Sequence, residues 1–233
     1  MEVASQIWHQ VFLGVQLPRS GAVVEVAPGY EPKIGKALAA IGFCGTIYLV
    51  EPDKVAVGEL LRVYRDILPK AEVIPVAKAM QDLVVGVDIS SDIDAVVASH
   101  PFDDMVIGSI VYNPNFFTLE KEDGGELTPE IKRIYDSLTD ADYARGVNMT
   151  VESWRVFIKK VRPHYFIASQ YPSTMLRLKG LTRRQNSGYA VLNQLKKTLP
   201  GNVYCKWSTN RSFGTKANPK WWMVHTDFTF LRY

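Results

Sequence analysis

Five short apolar runs rich in β-branched residues recur along the chain, and a segment with helical spacing follows most of them. The runs are AVVEVA at 22–27, TIYLV at 46–50, EVIPVA at 72–77, DAVVAS at 94–99 and HYFIAS at 164–169. Strands joined through helices pair in parallel, and a parallel sheet needs cover on both faces. Two last runs, NVYCKWS at 202–208 and KWWMVHTDFTFL at 220–231, have only a polar stretch at 209–219 between them. That arrangement predicts an antiparallel hairpin. The expected fold class is α/β: a doubly wound, mostly parallel seven-stranded sheet with a C-terminal antiparallel β-hairpin and helices on both faces.

The punctuation between the runs supports this order. Pro28-Gly29-Tyr30 turns the chain into a helix with Ile34, Leu38 and Ile41 on one side, and Gly42 and Gly45 end it. Glu51-Pro52-Asp53 closes the second strand ahead of a helix over 55–67, and Pro75 pushes the third strand to a sheet edge or bulge. A further helix is expected from Phe102. Residues 112–150 are polar and acidic, too long for a tight loop, and read as an inserted helical cap or lid within a single domain spanning 1–233. Thr150 is expected to N-cap a helix TVESWRVFIKKV that leaves at Pro163, and a last helix is centred on 189–199.

At 233 residues, 47% hydrophobic and 22% charged, the chain can bury a large core without disulfides or metals. Cys44 and Cys205 match no metal or redox spacing and read as buried or half-buried thiols in a reducing compartment. The N-terminal stretch has no basic region leading into a long apolar one, and no window approaches 18 apolar residues, so a cytoplasmic protein without a membrane span is expected. The net charge of +3 hides an asymmetry: residues 1–154 sum to −11 and residues 155–233 to +14. Either the two portions neutralise each other, or the basic face attracts phosphate or nucleic acid. Composition does not choose between these.

In open α/β sheets ligands sit at the carboxyl ends of the strands near the switch in strand order. After the first strand stand Glu25, Ala27 and Gly29; small residues at 27 and 29 let the backbone approach a ligand, and a carboxylate there suits an ammonium group and repels a diphosphate. Glu51, 26 residues later, can accept hydrogen bonds from both hydroxyls of a ribose, or can cap the next helix ahead of Pro52. The fourth strand ends in Ser99-His100-Pro101-Phe102, then Asp103-Asp104. A neutral His100 can take a proton near neutral pH; the alternative is a helix-entry histidine that bonds only to the backbone.

With these residues the chain resembles the class I S-adenosylmethionine (SAM)-dependent methyltransferases, whose first strand ends in an acid and a turn of the form acid-x-Gly-x-Gly. Ala27 replaces the first glycine and Tyr30 a residue often small. The resemblance implies SAM as cofactor. Glu25, Ala27, Gly29 and Tyr30 would surround its methionine part, Glu51 and Pro52 its ribose, and Lys78, Ala79 and Met80 its adenine, where Lys78 departs from the acid often found in the family. Ser99, Pro101 and Phe102 fit the Asp/Asn/Ser-Pro-Pro-aromatic pattern of amino-methyltransferases, and His100 does not. Ser99 and His100 would face the acceptor as catalytic residues, Ser99 also touching the cofactor, with Phe102 and Asp103 at the substrate.

Catechol O-methyltransferases carry a metal-binding acid where Ser99 stands, and here the fifth strand ends in Ala168-Ser169-Gln170 without a carboxylate, so no catalytic metal is expected. The implied function is metal-independent methyl transfer to an O or N acceptor of a small molecule. One alternative is a nucleic-acid N-methyltransferase using the basic residues 155–233. Another is a non-catalytic module that binds SAM or nucleic acid. Asn113-Pro114-Asn115-Phe116 reads as a turn, Trp207, Trp221, Trp222 and Phe228 as core, and Arg183-Arg184 and Lys196-Lys197 as a solvated helical face.

Overall fold

The computed structural model describes residues 3–111, 116–117 and 127–199, together with the backbone of 202–204 and 222–226. The chain divides into two compact units: Met1–Ser99, Val156–Ser169 and Pro200–Tyr233 form the first, His100–Arg155 and Gln170–Leu199 the second.

The first unit is built on the parallel alternation expected from the sequence. Its strands are β1 (Ala22–Val26), β2 (Thr46–Val50), β3 (Glu72–Val76), β4 (Ala95–Ser99) and β5 (Tyr165–Ser169), in the spatial order β3-β2-β1-β4-β5. Val24 stands opposite Tyr48 on one side and Val96 on the other, and Ser99 opposite Ser169. The order therefore reverses between β1 and β4. Pro75 lies in the outermost parallel strand, paired with Leu49, where its missing N–H costs no ladder bond on the open side. Beyond β5 the sheet continues with β7 (Trp222–Thr226) and β6 (Asn202–Tyr204), each antiparallel to its neighbour; Ile167 faces Val224 and Val203 faces His225. The polar stretch 209–219, and with it Trp207, Trp221, Phe228 and Cys205, lies outside the described residues.

Helices α1 (Val3–Gly14), α2 (Lys33–Ala40) and α3 (Lys54–Ile67) share one core with alternate strand residues. Trp8, Ile34, Leu38 and Tyr64 are fully buried there with Val23, Ile47, Leu49 and Val97. Each such side chain contributes about 2–3 kcal/mol through removal of apolar surface from water. Strand residues of the other parity, Val24, Val96 and Phe166, are buried as well, which is why the strands read as unbroken apolar runs. Helix α1 was not anticipated from the sequence. Its signal was present, because Ile7, Trp8, Val11 and Phe12 recur on one helical face and all are buried.

The second unit holds α4 (Phe102–Ile110), α5 (Pro129–Ser137), most of α6 (Asp140–Val161), a short α7 (Thr174–Leu178) and α8 (Thr182–Thr198). One expectation is corrected here. Thr150 does not start a helix but sits in the middle of α6, 3% exposed, its hydroxyl without a hydrogen-bond partner among the described residues. The start is set by Thr139, whose Oγ1 accepts from Asp142 N–H at 3.2 Å while Asp142 Oδ2 accepts from Thr139 N–H at 3.0 Å. Helix α8 takes in the segment expected to be helical as far as Thr198 and begins seven residues ahead of it. In the first unit Cys44 is exposed rather than buried, its position alternating with the buried Phe43.

Candidate functional site

In the first unit the carboxyl ends of β1 and β2 are tied to each other by side chains. Glu51 is 9% exposed; its Oε2 accepts from Gly29 N–H at 3.2 Å and its Oε1 from Asp53 N–H at 3.1 Å. Asp53 caps α3 through Val55 N–H and Ala56 N–H, and its other oxygen accepts from the Tyr30 hydroxyl at 2.6 Å. That bond, before burial, pushes the Tyr30 phenol up to about 12. Tyr30 is thus a strut of the turn. The turn itself is left-handed at two positions, Ala27 with φ 51° and Gly29 with φ 61°, and Ala27 N–H continues the ladder to Val50 O at 2.9 Å. A Cβ at Gly29 would meet nothing within 4 Å, so open space lies over that backbone. Pro52 is exposed beside it.

Glu25 is placed differently from the expectation. It is 1% exposed and accepts from Tyr64 Oη at 2.7 Å. Burial pushes its carboxyl up to about 8, against the lowering effect of the Tyr64 bond and of Lys33. A carboxyl buried in the α2–α3 layer, bonded to Tyr64 and pushed toward its neutral form, is not presented to an ammonium group beyond the strand end. Strand alternation is the reason: Glu25 shares the side of Val23, which faces those helices.

Lys78 forms an ion pair with Asp88 at 2.7 Å, holding that carboxyl below its usual range through the hydrogen bond. Met80 is buried in a short 3-10 turn, and Ala79 is half-buried before it. The Ser99 hydroxyl accepts from the Trp8 indole N–H at 3.1 Å, so the unanticipated first helix reaches the end of β4.

The second unit contains a buried polar cluster of its own. His100 has φ 64°, a conformation that costs a non-glycine residue about 1 kcal/mol, and its ring stands edge-on to Tyr171 at 4.2 Å. His100 Nδ1 lies 3.0 Å from Asp103 Oδ1 and 2.9 Å from Gln170 Nε2. Gln170, fully buried, accepts from Phe102 N–H through Oε1 at 3.3 Å and donates from Nε2 to Asp103 Oδ1 at 2.8 Å. Arg184, 5% exposed, reaches Asp103 Oδ2 at 3.4 Å and also bonds to Asp104 Oδ1 and the Tyr135 hydroxyl. Burial works to raise the Asp103 carboxyl, but the His100 hydrogen bond and the charges of His100 and Arg184 hold it below the usual range. Gly188 of α8 lets these groups meet, since a Cβ there would lie 2.6 Å from Gln170 Nε2.

Several expectations change in that unit. Phe102 is fully buried edge-on to Trp154 at 5.8 Å, so its ring packs inside the unit. Asp103 is engaged by His100, Gln170 and Arg184. The reading of Arg183-Arg184 as a solvated face holds only for Arg183, which pairs with Asp140 at 3.1 Å; Arg184 is on the inner side of α8. Gln170, Arg184 and Tyr64 were not read as site residues. No spacing in the sequence marks them, because each meets its partner from a distant segment. Among the described residues no cluster of His, Cys, Asp or Glu could hold a metal ion, and no helix is long and apolar enough to cross a membrane.

No family model matches the chain, and no curated protein does. Solved structures do. A protein described as a candidate rRNA methylase from Clostridium thermocellum aligns with a TM-score of 0.50 at 11% identity, covering 96% of this chain and 96% of that one. A SAM-dependent O-methyltransferase from Thermotoga maritima aligns with a TM-score of 0.47 at 8% identity, over 95% of this chain and 64% of its own. The glycopeptide N-methyltransferase MtfA, also solved with SAM and with sinefungin, gives 0.37 at 16% identity over 74% of this chain and 55% of its own. The chain thus spans between about half and two thirds of the length of those last two. The protein has the Rossmann-like fold of the class I SAM-dependent methyltransferases.

Proposed function

We propose that the chain is a SAM-dependent methyltransferase of the cytoplasm that methylates an O or N acceptor of a small molecule without a metal. The observation that carries this reading is the Glu51 carboxylate at the end of β2. Its oxygens accept the Gly29 and Asp53 N–H groups, which fixes a carboxylate at the strand end where the hydroxyls of a ribose would lie, beside the open backbone of Gly29. Strand order supports it, because β1 and β4 flank the reversal where such sheets bind nucleosides. Lys78, Ala79 and Met80 would border the adenine, with Pro52 at the ribose. Ala27, Gly29 and Tyr30 would line the methionine part, with backbone groups rather than Glu25 meeting its ammonium.

When bound, SAM supplies an electrophilic methyl carbon on a good leaving group. What remains for this chain is positioning and removal of one proton from the acceptor. His100 is the base in this reading, and Ser99 orients the acceptor beside it. Residues 112–150 would act as a lid that selects the acceptor within a single catalytic domain. The small-molecule reading is favoured over nucleic acid because part of the basic third is already spent: Arg184 is buried, and Arg155 and Arg183 sit in ion pairs with Glu152 and Asp140.

Calorimetric titration with SAM and S-adenosylhomocysteine, with NADH as control and at two salt concentrations, tests the proposal. Micromolar binding of the first two, independent of salt, is the expected result. Preference for NADH, or no binding, would overturn it, and binding of RNA or DNA that weakens steeply with salt would move the acceptor to nucleic acid.

A further inference from the structure

We infer that Arg184 and Gln170 are positioning residues that, through Asp103, hold His100 as its Nδ1–H tautomer, leaving Nε2 as the atom that receives the acceptor's proton. This rests on the reading of His100 as the base. Asp103 Oδ1 stands 3.0 Å from His100 Nδ1. An unprotonated Nδ1 would set its lone pair against a carboxylate, whereas a protonated Nδ1 donates to it. Gln170 Nε2 is equally close to Nδ1, but the amide, oriented by Phe102 N–H at its Oε1, sends its N–H to the same Asp103 Oδ1, so Nδ1–H and Nε2–H converge on one anionic oxygen rather than on each other. Turning the amide over would set its oxygen against Asp103 and its NH2 against the Phe102 N–H, losing both.

The carboxylate itself is 3% exposed and needs a cation to remain charged there, which Arg184 supplies from α8. Asp104 and the Tyr135 hydroxyl each take a further donor of that guanidinium and fix its place. In the reaction the acceptor's proton passes to Nε2, the resulting imidazolium is stabilised by Asp103, and the proton then leaves to solvent. A left-handed His100 is the backbone conformation this arrangement maintains.

Imidazole 15N spectra of the full chain test the inference without cofactor or acceptor. At a pH where His100 is neutral, the wild type should show Nδ1–H and a bare Nε2. Asp103→Asn should move the proton to Nε2, because the new amide can donate to Nδ1. Arg184→Lys, which keeps the charge and serves as the variant that folds, should retain the wild-type signature, while Arg184→Gln should mix the two tautomers. An Nε2–H wild type, or an Asp103→Asn spectrum identical to wild type, overturns the inference. Failure of the methyltransferase reading shows elsewhere: no SAM binding in calorimetry with the Nδ1–H spectrum intact would overturn the proton-transfer role while the tautomer assignment holds.

Discussion

Tyr64 donates its hydroxyl proton to Glu25 at 2.7 Å, and the same oxygen accepts from Gly35 N–H at 2.9 Å, so a helix, a strand and a second helix meet at one phenol. Burial at that junction pushes the Glu25 carboxyl up to about 8, from 4.5 for an ordinary glutamate, against the lowering effect of the Tyr64 bond. In the native state it keeps its proton until about pH 8, while the unfolded chain loses it near 4.5. The stability tied to Glu25 is therefore complete below pH 4.5 and declines as pH rises toward 8. Urea unfolding at pH 5 and pH 8 should show a smaller loss for Glu25→Gln than for wild type. Equal losses would show that Glu25 is ionised in the fold.

The same phenol makes Gly35 irreplaceable. A Cβ at that position would stand 2.5 Å from the Tyr64 ring, which is fully buried. Gly35→Ala should destabilise the protein by about 1–3 kcal/mol, the usual range for overpacking. In a double-mutant cycle with Tyr64→Leu the two costs should not add, because the smaller side chain removes the clash.

Ala27 is the reverse case. Its φ of 51° imposes a left-handed conformation on a residue with a Cβ, at about 1–2 kcal/mol, and glycine would return part of that gain through its greater freedom when unfolded. Ala27→Gly should raise stability by roughly 0.5–1 kcal/mol, read as a higher midpoint in thermal or urea unfolding. A lower midpoint would mean that the alanine methyl packs usefully in the turn.

Glu51→Ala should weaken SAM binding at least tenfold in calorimetry, consistent with the ~1.5–3 kcal/mol of hydrogen bonds to a charged group. Glu51→Gln should fall between the variant and wild type, since its amide keeps one acceptor oxygen. Because Glu51 also holds Gly29 and Asp53 N–H, circular dichroism of both variants at the titration temperature separates lost binding from a lost turn. Unchanged affinity in a folded variant removes Glu51 from the ribose.

The strand ends were legible because their residues are neighbours in sequence: Glu51 follows β2 directly, and His100 follows β4. Their engagement was not. That Glu25 faces helices and not a ligand depends on which side of β1 its register assigns, and that Tyr30 braces Asp53 depends on two loops 23 residues apart. Thr150 misled because a threonine before an apolar run looks like a cap, whereas Thr139 and Asp142 had already begun the same helix ten residues earlier.

By itself the sequence determined the parallel alternation, the edge position of the strand with Pro75, and the small-residue turn after β1, since periodicity, proline and glycine act through local backbone geometry. Only the tertiary structure decided that Trp8 reaches Ser99, that Glu25 is buried against Tyr64, and that Arg184 and Gln170 converge on Asp103 beside His100. Those relationships join residues up to 91 positions apart, and the hydrogen bonds and charge pairings that define them exist only once burial has removed the water that would otherwise satisfy each group separately.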